Sequence, residues 1–124
     1  MNRHRYRYLL LIAAAASGSA AAIERGDAQI ELAQATAAVQ TAERDDAARY
    51  SPADLDEAHA MLVNAQQAAD TSAWRNVAIY AERAKVDGEL ASARARQHRA
   101  EAATAEIERS VDTLRAQLGR GGAP

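Results

Sequence analysis

The feature that most constrains the fold is a long stretch without helix-breaking residues. From Trp74 to Leu118 the chain has no proline and a single glycine, Gly88. Proline inside a helix costs about 3 kcal/mol and glycine about 1 kcal/mol relative to alanine, so nothing here is expected to end a helix. At 1.5 Å per residue the predicted helix is roughly 68 Å long. The remaining chain is also rich in alanine, the strongest helix former, and the sequence therefore predicts an all-α fold.

Two shorter helices are predicted before Trp74. The first begins near Asp27 and fades from Asp45 to Arg49, because acidic residues oppose the negative end of a helix dipole. Its apolar side is expected at Ile30, Ala33, Ala37 and Val39–Ala42.

The second helix has a clear start signal. Ser51 is the predicted N-cap, Pro52 the first helical residue and Asp54 the capping acid. Tyr50 is placed to pack back onto Leu55.

A repeated apolar spacing predicts a helical hairpin. The steps of one series recur in a second series that follows Asp70, the predicted N-cap of the third helix. The two series are Leu55, Ala58, Leu62, Ala65, Ala69 and Trp74, Val77, Ala81, Ala84, Gly88. Their small side chains let two helix axes approach closely.

The second half of the third helix carries its own row of residues at heptad-like spacing. This C-terminal stripe consists of Ala93, Gln97, Ala100, Thr104, Ile107, Val111, Leu114 and Leu118. The first two helices are about half as long as the third and can cover only its first half. We therefore expect a helical hairpin packed on a long third helix with a coiled-coil-like C-terminal half. The stripe would pair with a copy of itself or with another protein.

The N-terminus predicts export. Basic residues, a short apolar run and small residues ending at Ala22 are typical of a cleaved signal sequence, residues 1–22, and of a periplasmic protein. The alternative is retention as a weak anchor, although the apolar run is shorter than the ~20 residues of a spanning helix. The helical domain would then be residues 23–118, with a flexible tail at 119–124. The chain has no cysteine, which excludes disulfides and a lipid-modified cysteine.

Charge is divided unevenly along the chain. Residues 23–72 carry three basic and ten acidic side chains, whereas residues 73–124 carry nine basic and seven acidic ones. The two halves are expected to attract each other, although a surface ion pair contributes only about 0–1 kcal/mol.

No group of residues predicts catalysis or metal binding. His59 and His98 lack a second ligand at metal-binding spacing, and the acidic residues are neighbours on exposed helix surfaces. The basic residues around Arg96 spread round the helix, so nucleic-acid binding is not expected. Trp74 is either a packing residue or an exposed interaction residue. We expect no enzyme activity, no cofactor and no small-molecule substrate.

The order of these features resembles a known family. A run of alanines leads into the sequence Tyr-Ser-Pro-Ala-Asp-Leu at residues 50–55, and Trp74 then precedes Ala78, Ala81, Ala84 and Asp87. Over residues 30–105 this order is similar to a bacterial family of Ala-rich, helical envelope proteins defined by a domain of unknown function. The resemblance implies a periplasmic protein without enzyme activity. Many members carry a lipid-attachment cysteine, and some precede an OmpA-like domain that binds peptidoglycan.

These observations predict a non-enzymatic periplasmic structural or adaptor protein that acts through helix–helix contacts. Its partner would be itself or another envelope protein, and no stable membrane span is expected after cleavage. The predicted interaction residues are Trp74, Ile107, Val111, Leu114 and Leu118. The alternative is a periplasmic binding or chaperone-like module that holds client segments in grooves between small residues.

Overall fold

The computed structural model describes the backbone of residues 5–122 and the side chains of residues 24–122. In this part of the chain the helices are α1 (Arg5–Arg44), α2 (Ala47–Tyr50), α3 (Pro52–Asp70) and α4 (Trp74–Gly121). None of the described helices has an apolar stretch long enough to span a bilayer. The predicted signal sequence, residues 1–22, lies outside the residues whose side chains are described, and residues 123–124 of the predicted tail lie outside them as well.

The elements of the described residues are all α-helices, so the predicted all-α fold is confirmed. The three long helices run up, down and up. α1 and α4 run in the same direction, since Lys85 bonds Gln34 while Ser92, farther along α4, bonds Asp45. α3 and α4 form an antiparallel hairpin across a short turn. α1 and α3 both pack along the first half of α4 and contact each other much less. The long helix is therefore the common support of the bundle.

The predicted start of α3 is confirmed, with one difference. Ser51 occupies the N-cap position and Pro52 is the first helical residue. The Ser51 hydroxyl, however, does not accept a backbone N–H; it donates to the carboxylate of Asp54. Tyr50 packs against the core cluster that contains Leu55, as the sequence predicted.

The turn between α3 and α4 differs from the prediction. Asp70 ends α3 instead of capping α4. The Ser72 N–H donates to the Ala69 carbonyl (3.0 Å), and the Ala73 N–H donates to the Ala68 carbonyl (2.9 Å). Ser72 has a φ of 58°, so this is a Schellman motif with serine at the left-handed position that glycine usually holds. These backbone bonds reverse the chain, and the Thr71 hydroxyl adds a hydrogen bond to the Ala68 carbonyl (3.1 Å).

The bundle has a core made almost entirely of alanine. Among the described side chains, the buried apolar ones are eleven alanines, two valines and one leucine. α1 approaches α4 closely at Gly88, where a Cβ would lie 3.1 Å from backbone atoms of Ala38 and Val39. α4 is continuous through this glycine. A side chain at this point would push the two helices apart.

The buried side of α1 is only partly the one that the sequence predicted. Ile30 is 58% exposed, and Ala33 and Ala37 are also exposed. Among the described side chains of α1, the buried ones are Ala28, Ala35, Val39 and Ala42, of which Val39 and Ala42 were predicted. Alanines occur on every side of this helix, so their positions did not identify the side that meets α4.

The bundle ends well before α4 does. Ala95 is the last buried residue of α4, and every described residue after it is exposed. α4 continues to Gly121, so Gly119 lies inside the helix and not beyond its end as predicted. We call residues 96–121 the overhang. At 1.5 Å per residue it extends roughly 39 Å past the bundle.

Candidate interaction surface

α4 has two apolar faces. The inner face packs on α1 and α3 and consists of Val77, Ala81, Ala84, Gly88, Ala91 and Ala95. The second, which we call the outer face, carries large hydrophobic side chains that are 37–76% exposed. They are Ile79, Val86, Leu90, Ile107, Val111, Leu114 and Leu118.

The outer face follows one heptad register along the whole of α4. The d positions are Ile79, Val86, Ala93, Ala100, Ile107 and Leu114. The a positions are Arg83, Leu90, Gln97, Thr104, Val111 and Leu118. Hydrophobic residues scattered singly over a surface are ordinary, but a row at a and d spacing is typical of a helix that pairs with another helix.

The structure places four of the five predicted interaction residues on this face. Ile107, Val111, Leu114 and Leu118 lie together on the overhang, where nothing in the described chain covers them. Sequence reasoning missed Ile79, Val86 and Leu90, which extend the row back into the bundle. The same heptad spacing, followed towards the N-terminus from Ala93, would have found them.

Trp74, the fifth predicted residue, does not belong to the outer face. It is the first residue of α4 and packs against the core cluster that contains Ala28 and Val77. The guanidinium of Arg25 lies over its ring, 5.1 Å from the ring centroid. At 1.5 Å per residue Trp74 is roughly 50 Å from Ile107, so the two predicted regions do not form one site. These contacts favour a packing role for Trp74.

Two ion pairs connect α4 to the rest of the bundle near the start of the overhang. Asp45, in the turn after α1, accepts hydrogen bonds from the Ser92 hydroxyl and from Arg96, whose Nε lies 2.8 Å away. The hydrogen bond from Arg96, followed by that from Ser92, lowers the pKa of Asp45. The predicted attraction between the acidic and basic halves of the chain is thus present at this contact.

Asp54 makes the equivalent contact at the start of α3. It accepts hydrogen bonds from the Ser51 hydroxyl and from Arg94, whose Nη1 lies 2.7 Å from the carboxylate. The Ser51 bond, followed by the Arg94 bond, lowers the pKa of Asp54. Arg94 and Arg96 are two residues apart and so point to different sides of α4. One therefore holds α3 and the other the end of α1.

The remaining candidates have ordinary surface contacts. His59 is exposed, and its Nε2 lies 3.0 Å from Glu43. Among the residues with described side chains, no three His, Cys, Asp or Glu side chains converge where they could hold a metal ion.

An open groove of about 570 Å³ between α1 and α4 is lined in part by Ala37, Ala38 and Ala93.

Comparison with known proteins identifies one relationship. A family model described as a domain of unknown function (DUF4398) matches residues 31–107. The matched region holds the last part of α1 from Glu31, all of α2 and α3, and α4 as far as Ile107 in the overhang. No curated protein and no solved structure matches this chain.

Proposed function

This chain belongs to the DUF4398 family, a domain of unknown function, and from its surfaces we propose that it is a non-enzymatic structural or adaptor protein. It acts in the bacterial periplasm through helix–helix contacts. The single observation that carries the proposal is the overhang. Its outer face holds Ile107, Val111, Leu114 and Leu118, all exposed beyond the end of the bundle.

An uncovered row of this kind is costly in water. Burying one Val, Leu or Ile side chain contributes about 1.5–3 kcal/mol relative to leaving it exposed. The bundle itself has a core of alanines, which contribute little apolar area each. Apart from Trp74 and Tyr80, which pack against the core, most of the large hydrophobic side chains of α4 are on the side that the bundle does not use. A partner helix along the outer face would supply the burial that the monomer lacks.

Export is supported by the pattern of residues 1–22. Three arginines precede a short apolar run, and small residues follow up to Ala22. All 17 acidic residues come after this segment. The periplasmic location therefore rests on the sequence pattern.

A second candidate function uses the groove between α1 and α4. The groove has a volume of about 570 Å³ and is lined in part by alanines. It offers space for an extended or helical client segment, which a chaperone-like module would need to hold. Ser92 and Arg96 on its wall already donate to Asp45. These two side chains of the groove are therefore engaged within the protein and are less available to bind a client segment.

Photocrosslinking in intact cells tests both functions. A photoreactive amino acid replaces Leu114 on the outer face, and the matched control replaces Ala116, which is exposed on nearly the opposite side of the same helix turn. We expect discrete products from position 114 and none from position 116. We also expect the crosslinked protein to fractionate with the periplasm and to begin at Ile23.

Other outcomes would decide against the proposal. Equal products from both positions would show that the outer face has no special role. A broad smear of clients from a probe at Ala37, on the α1 side of the groove, with nothing from position 114, would favour the chaperone-like module. Recovery of the protein from the cytoplasm with residues 1–22 still attached would contradict export.

A further inference from the structure

We propose that the outer face of the overhang is covered by the same segment of a second copy, and that the two helices run antiparallel. This inference rests on the proposed function, because it names the partner of the same surface. Three features carry it: the pairing of the large hydrophobic residues, the charges beside them, and the clearance from the bundle.

One antiparallel register pairs every large hydrophobic residue of the overhang with another. In an antiparallel coiled coil an a position of one helix packs in a layer with a d position of the other. Ile107 then packs against Leu118 of the second copy, and Val111 packs against Leu114 of the second copy. Two-fold symmetry repeats both layers. The four layers contain only Ile, Val and Leu.

The charges flanking these layers are complementary in the same register. Glu108 and Arg115 occupy the e positions, which face each other across an antiparallel pair. Glu108 therefore meets Arg115 of the second copy, and symmetry supplies the reciprocal pair. The g positions in this region are Ser110 and Gln117, which are uncharged. Within one chain Arg115 has only a 3.6 Å contact with Asp112, exposed at the surface.

Other arrangements of the same helices are less favourable. A shift of one heptad would place Glu108 against Glu108 of the second copy and pack Leu114 against Thr104. A parallel, in-register pair would place Arg83 against itself in the core and Glu82 opposite Asp87 of the second copy, a like-charge contact. It would also leave Glu108 and Arg115 opposite Ala103 and Ser110. Charge thus selects the antiparallel register.

The bundle does not obstruct this pairing. In the proposed register Gly121, the last helical residue of one copy, lies opposite Thr104 of the other. The bundle of each copy ends at Ala95, nine positions earlier, and α1 and α3 lie on the inner face of α4. The dimer would be a rod with one bundle at each end.

Charge exchange tests the proposal in the purified protein. Sedimentation equilibrium measures the dimer dissociation constant of the natural protein, of Glu108→Arg, of Arg115→Glu, and of the double variant. We expect each single variant to dimerise about tenfold or more weakly, because both symmetric pairs become like-charge contacts, and the double variant to recover. Arg109→Glu, on the far side of the helix, is the matched charge control and should change nothing. Single variants that dimerise as well as the natural protein would overturn the proposal.

Disulfide trapping tests the direction of pairing. Because the chain has no cysteine, single cysteines report one position each. An equimolar mixture of Ile107→Cys and Leu118→Cys should yield mainly the mixed disulfide, whereas a parallel dimer would yield the 118–118 product. The second result would overturn the antiparallel register. A monomer at all concentrations would overturn self-pairing, yet discrete crosslinks from Leu114 in cells would leave the adaptor function standing.

Discussion

At the scale of single residues, Asp45 and Asp54 connect the ends of α1 and α3 to α4. Each carboxylate accepts hydrogen bonds from one serine hydroxyl and from one guanidinium. A search of the sequence for apolar core residues would find neither aspartate. Both lie at the level where the alanine core ends, so they hold the helices together at the point where packing stops.

The lowered pKa values of these aspartates predict how stability depends on pH. A carboxyl whose pKa is lower in the folded than in the unfolded chain binds fewer protons when folded. Its contribution is fully present above the unfolded value of 3.8 and is lost as pH falls through the lower folded value. We expect the Tm to be flat around neutral pH and to fall below about pH 4.

Asp45→Asn should lower the Tm at pH 7 and reduce its decrease in acid, because the Arg96 and Ser92 contacts lose the carboxylate charge. Thermal unfolding followed by circular dichroism between pH 7 and pH 3 measures both effects. Asp56→Asn, an exposed position in the first part of α3, is the control. If Asp45→Asn kept the acid sensitivity of the natural protein, the assigned role of Asp45 would be wrong.

At the scale of elements, α4 is a helix with two faces of different chemistry. Its inner face is made of alanine, valine and one glycine, which permit close packing, whereas its outer face is made of larger residues that remain exposed. Gly88 lowers the intrinsic stability of α4 by about 1 kcal/mol relative to alanine. The structure explains its presence, because α1 passes directly over it.

Gly88→Leu should separate α1 from α4. The atoms nearest to a new Cβ, at 3.1 Å, belong to the backbone of α1 and cannot rotate away. We expect a loss of more than about 2 kcal/mol in the free energy of unfolding, measured by urea denaturation, which exceeds the gain in helix propensity. Gly119→Ala is the control in the same helix, where no atom lies within 4 Å, and it should be neutral or slightly stabilising. Equal effects of the two substitutions would contradict this account of the α1–α4 contact.

At the scale of the whole molecule, the described part of the protein consists of a bundle and an overhang. The described residues beyond Ala95 bury nothing against α1 or α3. The stability of the monomer and the capacity to associate should therefore be separable by truncation.

A chain ending at Gln97 should keep the bundle and lose association. At a protein concentration low enough for the full chain to be monomeric, we expect its Tm to lie close to that of the full chain. Sedimentation should then find it monomeric at every concentration. A chain ending at Glu89 also loses Ala91, Ser92 and Ala95 and should be strongly destabilised. A large loss of Tm on truncation at Gln97 would show that the overhang folds back on the bundle.

Local chemistry alone determined much of this molecule. The absence of proline and the abundance of alanine predicted the helices, and the Ser-Pro-Ala-Asp signal predicted where α3 begins. The repeated spacing predicted the α3–α4 hairpin, and the heptad spacing predicted the exposed row at Ile107–Leu118. These features were readable because propensity, capping and periodicity each depend on neighbours within one or two helical turns.

Only the tertiary structure decided how the helices meet. It buried Ala28 and Ala35 where the sequence indicated Ile30 and Ala33, since alanines on all sides of α1 leave no periodic signal. It also replaced the expected Asp70 cap with a backbone turn. The partners of Asp45 and the neighbour of Gly88 lie on another helix, dozens of residues away in the chain. Such contacts depend on the close approach of small side chains across the core, and no local pattern encodes that approach.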